Sequence, residues 1–393
     1  MTNKKHSTTG TSSVYDAVER ERKRASVRSL DLSFNELADM HATKELEIAP
    51  EYQRAYRWDA ATSSRFIESI VLEMPIPAIY ILEIKEGQWE LIDGLQRISS
   101  YLYLRGALNI ETYENDREKP IVAGQDFLRL TGCDIVPELN GLLFDDLPTT
   151  VQYRVRRATL RVELIKRGNN SRFAYHMFKR LNTGGEVLSE QEVRNCSIRI
   201  LGNDFNDFII ELSQNQHFLA CTERLAQKSK QRMGRQELVL RFFAFKNNLS
   251  EYVHDISPFL TDFMERVTDR KAENNILFDF SEEAAIFKNT FEAINKSVGS
   301  HAFSRWVNGG FSGGFSMSHY EAFSIGIARV VGSDTTWLTP EKNTRLKNGI
   351  ENAKKNPEMK DYTVGGGKNF KAIYDSKISL VEQSLREVDR DDI

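Results

Sequence analysis

A surplus of charge of either sign is what this chain of 393 residues most lacks: 53 Lys and Arg stand against 56 Asp and Glu, a formal net charge of -3. So balanced a chain has no overall field to gather nucleic acid, and any phosphate contact has to come from a local patch. Cysteine is scarce as well. Cys133, Cys196 and Cys221 are odd in number, far apart and in no C-x-x-C pair, which argues against a disulfide framework or a thiolate zinc site and fits a reducing cytosol. The seven histidines form no metal-ligand cluster along the sequence. No apolar run is long enough to span a bilayer, and the leading "MTNKKHSTTGTSSVYDAVERERKRASVRS" lacks the apolar stretch of a signal peptide. These absences predict a soluble, cytoplasmic protein with no membrane partner. What the chain does have is 40% hydrophobic and 10% aromatic residues, enough for a core divided over two or three domains.

Along the chain the texture changes twice. Residues 1–28 are polar and mixed in charge and read as a mobile tail. Residues 29–200 alternate. "ELEIAP" reads as a short strand, and Asp59 as the cap of a helix through "ATSSRFIESIVLE". "AIYILEI" and "QWELID" read as strands joined across Gly87, and a helix is expected from about Leu95 to Leu104. "DFLRLTG" and "ATLRVELIK" are strand-like, with a helix around "LPTTVQYRVRR" between them. The fold class expected is α+β for this domain, followed over 201–393 by a mainly α-helical domain. "NSRFAYHMFKRLN" reads as one helix, Ser189 and Glu192 as a capping box opening the next, and the glycines of "NGGFSGG" and "VGGGKN" as loops.

Three clusters carry chemistry. In "PEYQRAYRW", Gln53, Arg54 and Arg57 lie among aromatic residues, a composition suited to phosphate and base contact, though an arginine-rich strand end reads as well. In "DGLQR", Gly94 gives a tight turn that lets a ligand reach the backbone, and the free amides of the following helix favour an anion. Arg97 in that first turn opposes the helix dipole unless it faces an anionic ligand. Asp93 then either holds a divalent cation on a phosphate or positions Arg97, and Gln96 orients water or a base edge. An ordinary turn with Asp93 as helix cap explains the spacing equally. In "FKRLNTGGEVLSEQEVRN", Lys179, Arg180 and Asn182 precede a two-glycine turn. Arg154, Arg156, Arg157, Arg161, Lys166, Arg167 and Arg172, with Lys179 and Arg180, make residues 153–180 a basic stretch, a candidate DNA-backbone footprint or a solvated face. A second basic run, "ERLAQKSKQRMGRQ", reads as a surface loop. "GGGKN" lacks the first glycine and the Ser or Thr of a phosphate-binding Walker loop, and "HDISP" has no metal-ligand partner nearby.

In this order, "PEYQRAYRW", "IDGLQR" and "RLNTGGEVLSEQEVRN" resemble the N-terminal domain of the GmrSD family of type IV restriction proteins. That domain also occurs in SspE-like anti-phage proteins and belongs to the ParB/sulfiredoxin-like superfamily. The resemblance implies a nucleotide-binding α+β core that holds an NTP (GTP, CTP, UTP or ATP) with Mg2+, and often hydrolyses it, in proteins that sense or cut modified phage DNA. Carried over by position, Arg54 and Arg97 bind phosphates, Asp93 serves metal or water positioning, and Asn182 closes the pocket. Many relatives have a second Gln where this chain has Leu95, and the HNH-like nuclease domain that often follows is not recognisable. The functions left open are NTP-dependent DNA recognition, a metal-dependent nickase or NTPase acting through Asp93, Gln96 and Arg97, and an inactive interaction protein that recruits a separately encoded nuclease. A homo-oligomer is compatible with each.

Overall fold

The structure is a computed structural model that describes residues 14–16, 18–19, 27–48, 58–108, 127–166, 189–199, 201–363 and 370–390. The chain divides into two compact units, Met1–Thr183 and Gly184–Ile393. Among the described residues no helix is long and apolar enough to cross a membrane.

The first unit runs β1 (Val27–Ser33), α1 (Phe34–Ala42), β2 (Leu46–Glu47), α2 (Ala60–Val71), β3 (Ile79–Lys85), β4 (Gln88–Asp93), α3 (Leu95–Leu104), α4 (Thr149–Arg157) and β5 (Thr159–Lys166). The strands form one mixed sheet in the order β1-β5-β3-β4-β2. β1 is antiparallel to β5 and β3 to β4, whereas the β3–β5 and β2–β4 pairs are parallel. Period-two alternation buries Leu160, Val162 and Leu164 of β5, and Ile79 and Ile81 of β3 are fully buried beside them in the sheet. Phe34, Ile67, Ile70, Ile98 and Leu102 supply the buried residues of the helices, with Phe34 stacked on Tyr101 at 5.2 Å. The α+β class expected for this half is what the chain adopts. Asp59 caps α2 as read, its carboxylate accepting the Thr62 amide at 2.7 Å.

One expected strand is absent. "DFLRLTG" alternates like a strand and buries Leu128 and Leu130, yet its amides bond outside the sheet, Leu128 to the Tyr103 carbonyl at 3.0 Å and Leu130 to the Leu142 carbonyl at 2.9 Å. Ser64 Oγ accepts the Thr131 amide, and Glu68 Oε1 accepts those of Ile135 and Val136. Carbonyls at Tyr103 and Leu142, together with buried polar side chains of α2, thus take over the ladder that a neighbouring strand would have supplied.

The second unit is helical: α5 (Glu190–Ile198), α6 (Asp204–Ser213), α7 (Gln216–Cys221), α8 (Gln227–Gln231), α9 (Gly234–Asn248), α10 (Ile256–Thr268), α11 (Phe280–Val298), α12 (Met317–Val331), α13 (Pro340–Lys355), α14 (Pro357–Thr363) and α15 (Lys371–Arg390). Ser189 and Glu192 form the expected capping box of α5, each side chain taking the other's amide. That helix, read from sequence as the end of the first domain, belongs to the second unit. The "HDISP" segment is a helix start, Asp255 capping α10 through the Ser257 amide. "ERLAQKSKQRMGRQ" contains the short helix α8 where a loop was expected.

A second correction concerns "RWVNGGFS". Its glycines read as a loop, but Arg305–Val307 (β6) and Gly310–Ser312 (β7) pair as an antiparallel hairpin. Asn308 and Gly309 take φ of 51° and 84°, the left-handed pair that a two-residue hairpin turn requires.

The helical core is aromatic, built on Phe205, Phe218, Phe242, Phe243, Phe287 and Phe291. Buried charge runs through it. Glu321, 3% exposed, accepts from Arg241 at 2.7 Å and from Lys377 at 3.0 Å, and Glu237 links Arg241 to Arg194 on α5. Burial pushes the Lys377 ammonium below its ordinary pKa while Glu321 pulls it back. We expect Glu321→Ala, which strands the buried Lys377 and takes from Arg241 one of its two carboxylates, to cost about 3–5 kcal/mol in urea unfolding. Arg154→Ala, which removes an exposed pair with Glu73, should cost at most about 1 kcal/mol. Equal losses would show that the network is dispensable.

Candidate functional site

The candidate site is where β4 passes into α3. A bulge in the β3–β4 pairing, with Ile81 opposite Leu91 but Tyr80 opposite Asp93, shifts the end of β4 by one residue. Gly94 then turns the chain at φ 106° and ψ 12° as the N-cap of α3, and no side chain caps the helix. An ideal Cβ at Gly94 would lie 2.2 Å from Ile79 Cγ2, so glycine is required both by φ and by space. Asp93 is not the helix cap that an ordinary turn would make of it. Its Oδ2 accepts from Arg97 Nη2 at 2.8 Å.

Arg97 also donates through Nη1 to the carbonyls of Pro77 at 2.5 Å and Ala78 at 3.1 Å, immediately ahead of β3. The Arg97 side chain is 14% exposed and that of Asp93 34%. Of the two roles open to Asp93, positioning Arg97 is the one the geometry displays. The three bonds use three of the five guanidinium hydrogens, leaving Nε and one Nη2 hydrogen, together with the uncapped first turn of α3, as donors for an anion. Gln96 turns the other way: its Oε1 accepts the Trp58 backbone amide at 3.2 Å, bringing the end of "PEYQRAYRW" against "DGLQR". Trp58 packs edge-on against Phe66 of α2 at 5.6 Å.

Residues not singled out in the sequence complete the setting. Ser29, Glu163, Tyr80 and Asp93 occupy matched positions on β1, β5, β3 and β4, a polar row across the sheet. Ser29 Oγ donates to Glu163 Oε2 at 2.7 Å. Burial, then the charges of Glu163 and Asp93, push the Tyr80 phenol up, against the pull of Arg97. The phenol therefore stays protonated as a hydrogen-bond donor beside the loop. The only trace of this row in the sequence is the alternation of the strands, which sets Tyr80 and Glu163 on the polar face but does not pair them. Among the described residues no three His, Cys, Asp or Glu side chains gather as a metal site, so Asp93 has no companion ligands there. The thiols of Cys133 and Cys221 are buried, and burial raises both pKa values, that of Cys133 to about 11, so neither is an activated nucleophile.

The basic stretch is largely engaged within its own domain where it is described. Arg161 grips Asp31 through Nε and Nη2 at 2.8 and 3.3 Å. Arg154 pairs with Glu73 at 3.2 Å and donates to the Val71 carbonyl. Arg156 lies over the Phe144 ring at 5.3 Å and Arg157 over that of Tyr153 at 5.4 Å. Gln53, Arg54, Arg57, Arg172, Lys179, Arg180 and Asn182 lie outside the described residues. A separate open groove of about 440 Å³ is lined by Glu36, Asp39, Glu45 and Trp89, among others, and by no residue of the Arg97 loop; its carboxylates repel phosphate.

With this geometry in place, comparison with protein families is decisive for the first half. Residues 35–199 match the GmrSD restriction endonuclease, N-terminal domain. The chain carries a GmrSD-type N-terminal domain, as the three motifs implied. The matched segment continues past the boundary between the two units and takes in α5. No curated protein and no solved structure matches the chain.

The loop of the GmrSD-type domain makes a sharp comparison possible. Gly87, at φ 76°, has open space where a Cβ would go, so Gly87→Ala should cost about 1 kcal/mol of left-handed strain. Gly94→Ala adds the collision with Ile79 and should cost more than about 2 kcal/mol. Thermal melts of the two variants side by side check this; equal shifts would remove the close approach as the reason for glycine.

Proposed function

We propose that this protein is a nucleotide-dependent DNA-recognition protein of restriction-type anti-phage defence, holding an NTP at the Asp93–Arg97 loop. The GmrSD-type domain supports the coarser part, a restriction-type protein that acts on DNA. The observation that carries the nucleotide part is the hydrogen bond from the Trp58 amide to Gln96 Oε1, which joins the arginine-bearing first motif to the phosphate loop. In this reading Arg97 is a preorganised phosphate ligand. Asp93 and the Pro77 and Ala78 carbonyls fix its orientation, and its remaining N–H groups and the α3 amides meet the phosphate oxygens. The family resemblance assigns nucleotide contact to Gln53, Arg54, Arg57 and Asn182, which lie outside the described residues.

Mg2+ fits the loop only as a passenger of the nucleotide. Asp93 Oδ2 accepts from Arg97, so among the described residues this loop would offer the ion one uncommitted carboxylate oxygen, and phosphates and water would supply the rest of its shell. The reading is therefore one of nucleotide binding that orders the loop. DNA, including modified phage DNA, is the partner, and cutting falls to a separately encoded nuclease.

Calorimetry with GTP, CTP, ATP and UTP, each with Mg2+, tests the proposal. One of the four should bind the wild type, and Arg97→Ala should weaken it at least about tenfold, the loss of a charge-assisted contact of about 1.5–3 kcal/mol. Asp93→Asn should weaken binding by the same factor with and without Mg2+, because it loosens Arg97; a loss seen only with Mg2+ would make Asp93 a metal ligand instead. Failure of the wild type to bind any of the four sinks the nucleotide reading.

A further inference from the structure

The β6–β7 hairpin stands out from the helical unit in composition, exposure and charge. Its base is fixed from several sides. Lys354 Nζ donates to the Ser304 carbonyl, Ser304 Oγ to the Gly313 carbonyl at 3.3 Å, and Arg224 Nη1 to the same Gly313 carbonyl at 3.3 Å. The Lys354 ammonium is also seated over the Phe323 ring at 4.4 Å. Trp306 and Phe311, paired across the two strands, meet edge to face at 5.1 Å. The tip is left outside: Val307 is 48% exposed, and Asn308 and Gly309 are exposed with it.

Around this fixed ribbon lie cations with few counter-charges. Arg305 is exposed and has no carboxylate partner among the described residues. Arg224 donates to the Gly313 carbonyl and approaches His301 Nε2 at 3.1 Å, again with no carboxylate. Lys355 lies over the Trp306 ring at 4.9 Å and meets the one neighbouring acid, Glu351, at 3.1 Å. This contrasts with Arg154 and Arg161 of the first unit, each of which has its own acidic residue. Arg224 is the first arginine of the basic run read from sequence as a surface loop.

We propose that this ribbon is a duplex-DNA contact of the helical unit, its Val307–Gly309 tip entering a groove while Arg305, Lys355 and Arg224 meet the flanking phosphates. The inference rests on the reading of the protein as one that acts on DNA, and it assigns to that reading a surface that none of the family motifs contains. Charge complementarity selects a polyanion, since unpaired guanidinium groups beside glycine-rich backbone allow close approach of phosphate. Shape selects the duplex. A two-stranded ribbon fits the major groove. A single strand would seek an open aromatic face, whereas Trp306 already has Lys355 on its face and Phe311 against it.

The test uses the full chain and a short fluorescein-labelled duplex, read by anisotropy over a KCl series. Arg305→Ala/Lys355→Ala removes two exposed cations and should leave the melting temperature and nucleotide binding unchanged. It should weaken duplex binding about tenfold or more and reduce the slope of log K against log salt by about 2, at roughly 0.9 per phosphate contact. Val307→Asp, which carries a negative charge to the tip, should lower duplex affinity independently. If the wild type binds duplex and both variants bind it with the same affinity and salt slope, the ribbon is not the contact, and the DNA reading survives alone. Tighter binding of the matching single strand, lost in the same variants, overturns the groove geometry. A wild type that binds no DNA overturns both this inference and the reading it rests on.

Discussion

The first unit depends on one guanidinium. The chain reaches β3 through Pro77 and Ala78, and Pro77 has no amide hydrogen to donate. The carbonyls that remain need donors, and Arg97 supplies two of them from the first turn of α3 while pairing with Asp93 at the end of β4. One side chain thus joins the start of β3, the end of β4 and the start of α3. A positive charge in that turn opposes the helix dipole, which costs a few tenths of a kcal/mol to about 1 kcal/mol when nothing offsets it. Asp93 offsets part of that cost. An anion on the same turn would offset more, which is why a phosphate ligand and the structural role are compatible and not competing explanations.

The glycine before it is the second half of the same constraint. Arg97 reaches Pro77 only because the loop lies against Ile79, and a Cβ at Gly94 would push it away. Backbone conformation, strand packing and side-chain bonding therefore converge on five residues. The helical unit uses a different device. There Arg194, Glu237, Arg241, Glu321 and Lys377 share a buried network across α5, α9, α12 and α15. Each charge is tolerable only because its partner is present, so the network specifies which helix faces meet more than it adds stability. Through Arg194 it includes α5, the last helix of the segment matching the GmrSD-type domain.

What could be read in the sequence followed from the range of each interaction. The Asp59 cap and the Ser189–Glu192 box act over three residues, and both were legible. The strands β3, β4 and β5 and the helix α3 were legible from periodicity. Arg97 was legible as an oddity, a cation on the wrong end of a helix, but its acceptors at Pro77 and Ala78 lie 20 and 19 residues away across a strand pair, and no local rule names them. "DFLRLTG" failed because partners outside any strand satisfy its backbone: the Tyr103 and Leu142 carbonyls, and Ser64 more than sixty residues earlier. The β6–β7 hairpin failed for the opposite reason. Its Asn-Gly turn and the Trp306–Phe311 pair were in plain view, but the surrounding glycines read as a loop.

Charge was the least legible property, because a count of arginines ignores what they face. The basic stretch that looked like a footprint contains Arg154 and Arg161, each beside a carboxylate, and Arg156 over a ring. Exposed pairs of this kind stabilise little, but they cancel the local potential that would draw a phosphate backbone. In a chain whose total charge is close to zero, potential arises only where such cancellation fails. Among the described residues the ribbon of the helical unit is such a place. Arg305 and Arg224 are exposed there without acids, and Lys354, whose ammonium burial brings down to about 7, is seated against the Phe311 and Phe323 rings at the base of the ribbon. In the DNA contact proposed for the ribbon, what would draw a polyanion is less the number of basic residues in a segment than the absence of carboxylates around a few of them.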